Sequence, residues 1–572
     1  MRADQSPQST TSRVISSRRI FPATRTPAEQ ATVTRLSIVD ATVARFAPCA
    51  AVWLYEKTEL TPDGALLFDH LETSLLQTLD SFPHFAGQLR WATKEDEVKP
   101  GDPNARYLGR PVVVYGTARD PGVGLISAEY DRELGDVVPG PEERRTARKV
   151  WVATDFPQDE LLPGCDLAFG PSMAHFEGLP GVAVQMTRFR CGGFAVGVTA
   201  THCLADAACL LHFVHSWAER SRLLSDIEPQ DGAPSSRGRP AARRPEPVFD
   251  PGLLDRHAGL AGGAGLDAAR VELARSLPMH RFDWWAVDAP GYPGWAEAST
   301  VPTRPADDEL RALRLSPSAF PPWPTWDRSA PVDHVQIRFG RDEVARMKQA
   351  AQAGGPERGD APLLVVSRLD AVLAHMWILI ARARQLQDTD EPVYMDITLG
   401  LRARVRPPLP DAFLGSPILL GHVSRPGSEL CSAAAAAAAA TTTTTTTTTI
   451  GSVALLIRQM MSRFTPEAVG AYLHDAAHEV SPQRLWQCFL GERHTIVTSW
   501  TRAGAYGVDF FGGGGGRGVT PRYVQGRMPR LDGVLQVMDD VAEAGDFDVS
   551  LCMEREAVGR LLRDEMLRAY EC

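Results

Sequence analysis

The sequence predicts a chain that mixes β-strands with α-helices, and three segments carry that expectation. Val182, Val184 and Met186 alternate with Ala183, Gln185 and Thr187; after a turn at Cys191-Gly192-Gly193 the alternation resumes with Phe194, Val196 and Val198. That pattern is a hairpin with a buried face. Leu210, Phe213, Val214 and Trp217 follow at the i, i+3, i+4, i+7 spacing of one apolar helix face. Ser367 to Arg384 repeats a helical pattern, with Leu369, Val372, Leu373, Met376 and Ile380 on one side.

Length and composition bound the rest. A chain of 572 residues exceeds a single core, and at about 100–200 residues per domain it should hold two to four. A hydrophobic share of 44% with 23% charged residues is that of a soluble globular protein. A net charge of −10 argues against broad nucleic-acid binding. No apolar run approaches the roughly 18–20 residues that cross a bilayer. Nine cysteines, an odd number without a C-x-x-C pair, read as reduced thiols of a cytoplasmic protein.

Four stretches follow in chain order. Residues 1–34 are Ser/Arg-rich and poor in acids, faintly like a transit peptide, but Pro22 and Pro27 break any amphipathic pattern. A disordered leader is expected. Residues 35–225 form a first domain, with an apolar segment from Ile38 to Trp53 and a helix over 71–79 that ends at Pro83 and Gly87. Residues 226–332, with recurrent prolines, form a crossover or linker rather than a core. Its Trp284, Trp285, Trp323 and Trp326 either pin the crossover to the surface or wall an acceptor pocket. Residues 333–572 form a second domain, interrupted at 432–449 by Ser432, eight alanines and nine threonines. That interruption reads as a tolerated loop insertion.

The hairpin runs into Thr201-His202-Cys203-Leu204-Ala205-Asp206, an H-x-x-x-D sequence at the end of a strand and just before a helix. Such a place can hold an imidazole rigidly while leaving it open to a ligand, and imidazole accepts a proton near neutral pH. The bland alternative is a structural histidine beside a helix-capping aspartate. Other motifs carry less. His474 and His478 stand at i, i+4 but lack the H-E-x-x-H order, so a solvated helix face and no metal site are expected. Gly512 to Gly516 lacks the ending of a phosphate loop and reads as a flexible loop, and no G-x-S-x-G elbow is present.

Ordered motifs along the chain resemble the BAHD acyltransferases, in the branch typical of fungal secondary metabolism. Leu71 to Leu75 with Phe82 to Leu89 resembles the family's early helix and "PLAGRL" turn. Gln185 to Phe189 with Cys191-Gly192-Gly193 resembles the hairpin before its H-x-x-x-D, and Ser367 to Ala371 with Trp377 its mid-chain helix. Leu401 to Arg404, Pro407 to Pro410 and Phe413 to Pro417 resemble its "RSRxxPPLPxxYxGN" region. Thr498-Ser499-Trp500 and then Val508-Asp509-Phe510 stand where the family has "TSW" and "DFGWG". Here the latter reads Asp509-Phe510-Phe511-Gly512-Gly513, without the tryptophan, which puts loop rigidity and cofactor affinity in doubt.

The resemblance implies an α/β fold of two chloramphenicol-acetyltransferase-like domains, each a mixed sheet with flanking helices, and an active-site channel at their interface. It implies a transferase of the EC 2.3.1 type, a monomer that moves an acyl group, most simply acetyl, from acyl-CoA to a hydroxyl or amine of a small secondary metabolite. Acyl-CoA is then a co-substrate, with no permanently bound cofactor, nucleic acid or membrane. His202 would be the general base, with Trp500 and Thr498 facing the oxyanion. Asp206 would pair with Arg402 or Arg404 and hold the loop structurally, as Asp509 would hold its own; a triad-like role for Asp206 stays open. Ser499, Phe510 and Gly512 would meet the cofactor. Cys203 invites a covalent Cys-His mechanism, but it should face away from His202 and the family transfers directly. The alternative is a weak or inactive member that binds a small molecule or partner.

Overall fold

The computed structural model describes residues 12–96, 107–225, 244–260, 265–353, 364–432, 449–512, 518–539 and 545–571. Two mixed sheets dominate. The first runs Ser12–Ile20, Val123–Tyr130, Val182–Phe189, Phe194–Ala200, Cys49–Tyr55, Tyr523–Gly526. The second runs Ile418–Pro426, Pro392–Gly400, His494–Ser499, Val534–Asp539, Phe547–Glu554, Val332–Phe339, Val150–Val152. In the first, only Val123–Tyr130 with Val182–Phe189 is parallel. In the second, His494–Ser499 lies parallel to both of its neighbours.

The predicted hairpin is present, with Val182–Phe189 antiparallel to Phe194–Ala200 and Gly192 at φ +83° in the turn. All seven residues of Phe194–Ala200 are buried, because the strand is covered on both faces. On one face the cover is backbone: a Cβ at Gly197 would meet the Leu161 carbonyl oxygen at 2.3 Å. The helix Ala207–Ser225 buries Leu210, Phe213, Val214 and Trp217 as its spacing requires, and packs on Ala65–Leu79, which starts earlier than the predicted 71. The helix Arg368–Ala383 is capped by Ser367 through a box with Asp370, and nearly all of its circumference is buried. It lies at the centre of the second half's core, which makes the one-sided pattern read from its sequence too narrow.

Three expectations are corrected. From Ser12 the supposed leader is an edge strand, antiparallel to Val123–Tyr130; residues 1–11 lie outside the described residues. Its basic, Ser-rich text suits an exposed edge, where Arg13 pairs with Glu129 and Arg18 with Glu72. The domains are not contiguous: Val150–Val152 of the first stretch pairs with Val335–Ile337, and Tyr523–Gly526 of the second pairs with Ala51–Leu54. The crossover is partly built, with helices Gly252–Asp255, Ala268–Ser276 and Asp307–Ala312, and its Trp284 and Trp323 form a small aromatic core with Phe489 of the second stretch.

His474 departs from its reading as well. It is buried, its Nε2 accepting the Asp267 N–H at 2.9 Å and its Nδ1 standing 3.0 Å from the Ala258 carbonyl, so it packs rather than facing solvent. Of the Ala/Thr insertion only Ser432 and Thr449 are described; Thr449 caps the helix Ile450–Ser462. The glycines 513–516 also lie outside the described residues.

Candidate active site

His202 lies two residues past the end of the core strand Phe194–Ala200, and the helix Ala207–Ser225 starts five residues later. The imidazole is half-buried. Its Nδ1 lies 3.1 Å from the Ser416 hydroxyl, and the Phe46 ring meets it edge-on with centroids 5.3 Å apart. Nε2 has no hydrogen-bond partner among the described residues. Burial pushes the imidazole below its usual value of 6.5, partly opposed by its own backbone carbonyl and by the charge of Asp206. Burial thus favours the neutral ring, the form that can accept a proton.

Asp206 turns away from that ring. Both its oxygens accept from Arg402, at 2.6 and 3.0 Å, and Oδ1 also accepts the Cys209 N–H at 2.8 Å, which caps the following helix. Arg402 donates further to the carbonyls of Phe413 and Gly415. Its neighbour Arg404 does something else: it binds the carbonyls of Met461 and Phe464 at the end of the helix Ile450–Ser462. Cys203 is fully buried in the first core, and burial raises its thiol well above the ordinary range.

Sequence reasoning missed Ser416 and Asp40. Ser416 is fully buried, and its N–H donates to Asp40 Oδ1 at 2.6 Å, while Asp40 Oδ2 accepts from the Ser37 N–H and hydroxyl. Burial raises the Asp40 carboxyl to about 6 against these bonds. Gly415 takes φ +124° between them, where a Cβ would touch the Asp40 carboxylate at 3.0 Å. A chain reaching from residue 40 to 416 to 202 has no local spacing to betray it.

The remaining residues lie on the second half. Thr498 and Ser499 end the strand His494–Ser499 and are half-buried, with Ser499 Oγ 2.9 Å from Thr501 Oγ1. Trp500 is buried in the first core. The segment after it is bolted to the first half: Trp53 Nε1 donates to the Ala505 carbonyl and Tyr55 Oη to that of Val508, while His215 Nε2 donates to Gly504. Arg222 donates to the Asp509 carbonyl, and the Asp509 carboxylate accepts from the N–H groups of Phe511 and Gly512. Phe510 is fully buried, its ring packed edge-on against Tyr55 and Trp217. Phe511, where the family has glycine, fills space beside Phe194 and His70.

The tryptophans of the crossover lie among other rings. Trp284 and Trp323 are buried anchors, and Trp284 also touches Trp486, which touches Phe46 beside His202. The half-buried Arg45, lowered by desolvation to about 9, stacks over Trp284 and Trp486.

A model described as the Transferase family matches residues 12–107, 164–255 and 333–566. An acyltransferase of Alternaria alternata, AFT15-1, is 26% identical over 470 residues, covering 80% of this chain and 78% of that protein. Putrescine hydroxycinnamoyltransferase 1 of Oryza sativa subsp. japonica is 24% identical, covering 94% of this chain and 95% of its own. In fold, the chain is similar to TRI101 of F. sporotrichioides, crystallised with coenzyme A and T-2, at TM-score 0.58, 15% identity and coverage of 94% and 99%. Vinorine synthase gives 0.55 at 16% identity, covering 96% of each chain. Fold and matched segments together define an acyltransferase of the kind that draws on acyl-CoA. The chain belongs to the Transferase family, the BAHD acyltransferases.

Proposed function

We propose that this enzyme transfers an acyl group, most simply acetyl, from acyl-CoA to a hydroxyl or amine of a small secondary metabolite, with His202 as general base. One observation carries the reading: Nδ1 of a half-buried imidazole, its neutral form favoured by burial, is held by Ser416 while Nε2 has no hydrogen-bond partner among the described residues. Nε2 takes the acceptor proton as the acceptor oxygen or nitrogen bonds to the thioester carbon. An alcohol ionises too little near pH 7 to attack unaided, and such a base contributes about 10²–10⁴-fold. The oxyanion forms beside the Trp500 indole and the Thr498 hydroxyl; one donor of this kind is worth roughly 2.7–4 kcal/mol. The carbon–sulfur bond then breaks, and the CoA thiolate leaves with the proton from His202.

In this reading Asp206, Arg402 and Asp509 hold loops, while Ser499 and Gly512 border the CoA side. No helix among the described residues is long and apolar enough to cross a membrane. We place the enzyme in the cytoplasm, as a monomer. Its test is thiol release from acetyl-CoA with hydroxylated terpenoids, alkaloids and polyketides as acceptors. Acceptor-dependent release with a product heavier by one acetyl group is expected. Binding of acetyl-CoA and acceptors with no transfer across the panel would favour a binding protein instead.

A further inference from the structure

The second sheet carries a cluster of titratable groups that acyl transfer does not use. Asp396, fully buried, stands directly opposite His422 on the neighbouring antiparallel strand, a pairing that brings side chains to about 4.5–5.5 Å at Cβ. His280, from the crossover segment just before Phe282–Asp283, lies over the same place, its ring stacked on His422 with centroids 4.1 Å apart. One ligand atom each of His280, Asp396 and His422 falls within 4.8 Å of the others.

The hydrogen bonding at this point is incomplete in a telling way. His280 Nε2 and Asp396 Oδ1 are 3.0 Å apart but are not aligned as a hydrogen bond. These two atoms and His422 Nδ1 are buried without a hydrogen-bond partner. Buried polar atoms normally find one, because leaving each unpaired costs about 1–3 kcal/mol. The other carboxylate oxygen, Asp396 Oδ2, is fully used: it accepts the Phe489 N–H at 3.2 Å and faces His494 Nδ1 at 3.2 Å. That is how outer groups turn a carboxylate so that one oxygen is free to ligate. Two ligands about 2.0–2.1 Å from one tetrahedral zinc stand roughly 3.3 Å apart, close to the 3.0 Å between His280 Nε2 and Asp396 Oδ1; the His422 ring, stacked on that of His280, turns about its side-chain torsions to bring a nitrogen to the same ion.

We propose that His280 Nε2, Asp396 Oδ1 and a ring nitrogen of His422 bind a divalent transition metal, zinc by its donor set, that braces the crossover against the second sheet. Two imidazoles and a carboxylate are borderline donors that suit Zn²⁺ and not the oxygen-only preference of Ca²⁺ or Mg²⁺. His280 also borders a cavity shared with Met279, Tyr472 and Gln487, which offers an entry path. The metal would hold a segment that continues, through Phe282 and Trp284, into the aromatic cluster beside His202.

The full chain, with any affinity tag removed, is dialysed against chelator, incubated with Zn²⁺, desalted and assayed for bound metal and melting temperature. About one zinc per chain is expected, with melting raised by several degrees. His422→Ala should lose both effects, and His175→Ala, an exposed histidine elsewhere, should keep both. No retained zinc in the unmutated chain, or equal retention by His422→Ala, overturns the proposal. Should His422→Ala fail to fold, the Co²⁺-loaded unmutated chain decides. A visible absorption band that Zn²⁺ displaces supports the site, and no band overturns it.

Discussion

Both halves of the molecule bury imidazoles next to their central strands, and they treat them in opposite ways. In the first half one histidine, His202, meets a hydroxyl and a phenyl edge, and the carboxylate four residues on is turned away to Arg402. In the second half His280 and His494 converge on the two oxygens of one carboxylate, Asp396, with His422 stacked alongside. The near carboxylate is left out of the first site, while the second is assembled from four remote segments. An imidazole with an uncharged neighbour and a free nitrogen can take a proton and give it back. One locked between a carboxylate and other imidazoles is better suited to stay put.

The contrast between the two halves rests most heavily on His202. His202→Ala should lower kcat by about 10²–10⁴-fold with melting unchanged, measured by thiol release and calorimetry; full activity would remove the proton-transfer role. Next comes Asp206→Asn, which takes the charge from a buried pair with Arg402. Breaking such pairs costs about 3–5 kcal/mol, so denaturant unfolding should shift strongly along with the rate. A loss of rate alone, at constant stability, would instead return Asp206 to the imidazole as a triad-like partner.

Ser416→Ala is a smaller lever. It removes the neighbour of His202 Nδ1, worth about 0.5–1.5 kcal/mol, so kcat should drop by roughly two- to tenfold while KM holds. A rise in KM with constant kcat would mean that Ser416 touches substrate rather than positioning the base. Mildest is the pH profile. Burial disfavours the imidazolium, so the basic form survives acidification and the acid limb of kcat/KM should lie below pH 6.5. A limb above that value would mean that the charge of Asp206 outweighs burial at His202.

What was legible in the sequence follows from how local each feature is. The hairpin, the helix after it and the helix Arg368–Ala383 were readable because periodicity is carried within one segment. Strand Ser12–Ile20 was not, since an exposed edge needs no apolar face and its text looks like any basic tail. Arg402 and Arg404 are equivalent by spacing, and only the approach of the loop at Phe413 to Ser416 separates them. Ser416, Asp40 and the Asp396 cluster depend on tertiary pairing alone. Phe510 was legible as a motif position, but its packing into the core beside Tyr55 and Trp217 depends on tertiary contacts that no local spacing carries.

The exchange of edge strands has a consequence for how the chain is made. Cys49–Tyr55 is among the first strands to leave the ribosome, yet the neighbour that covers its outer edge, Tyr523–Gly526, is among the last. Throughout synthesis of the intervening residues, a wholly apolar strand carries an unpaired row of backbone donors and acceptors. The first half therefore cannot finish folding as an independent unit during translation. A nascent chain stalled before residue 523 should be held by chaperones or aggregate, however complete its own hairpin and histidine already are.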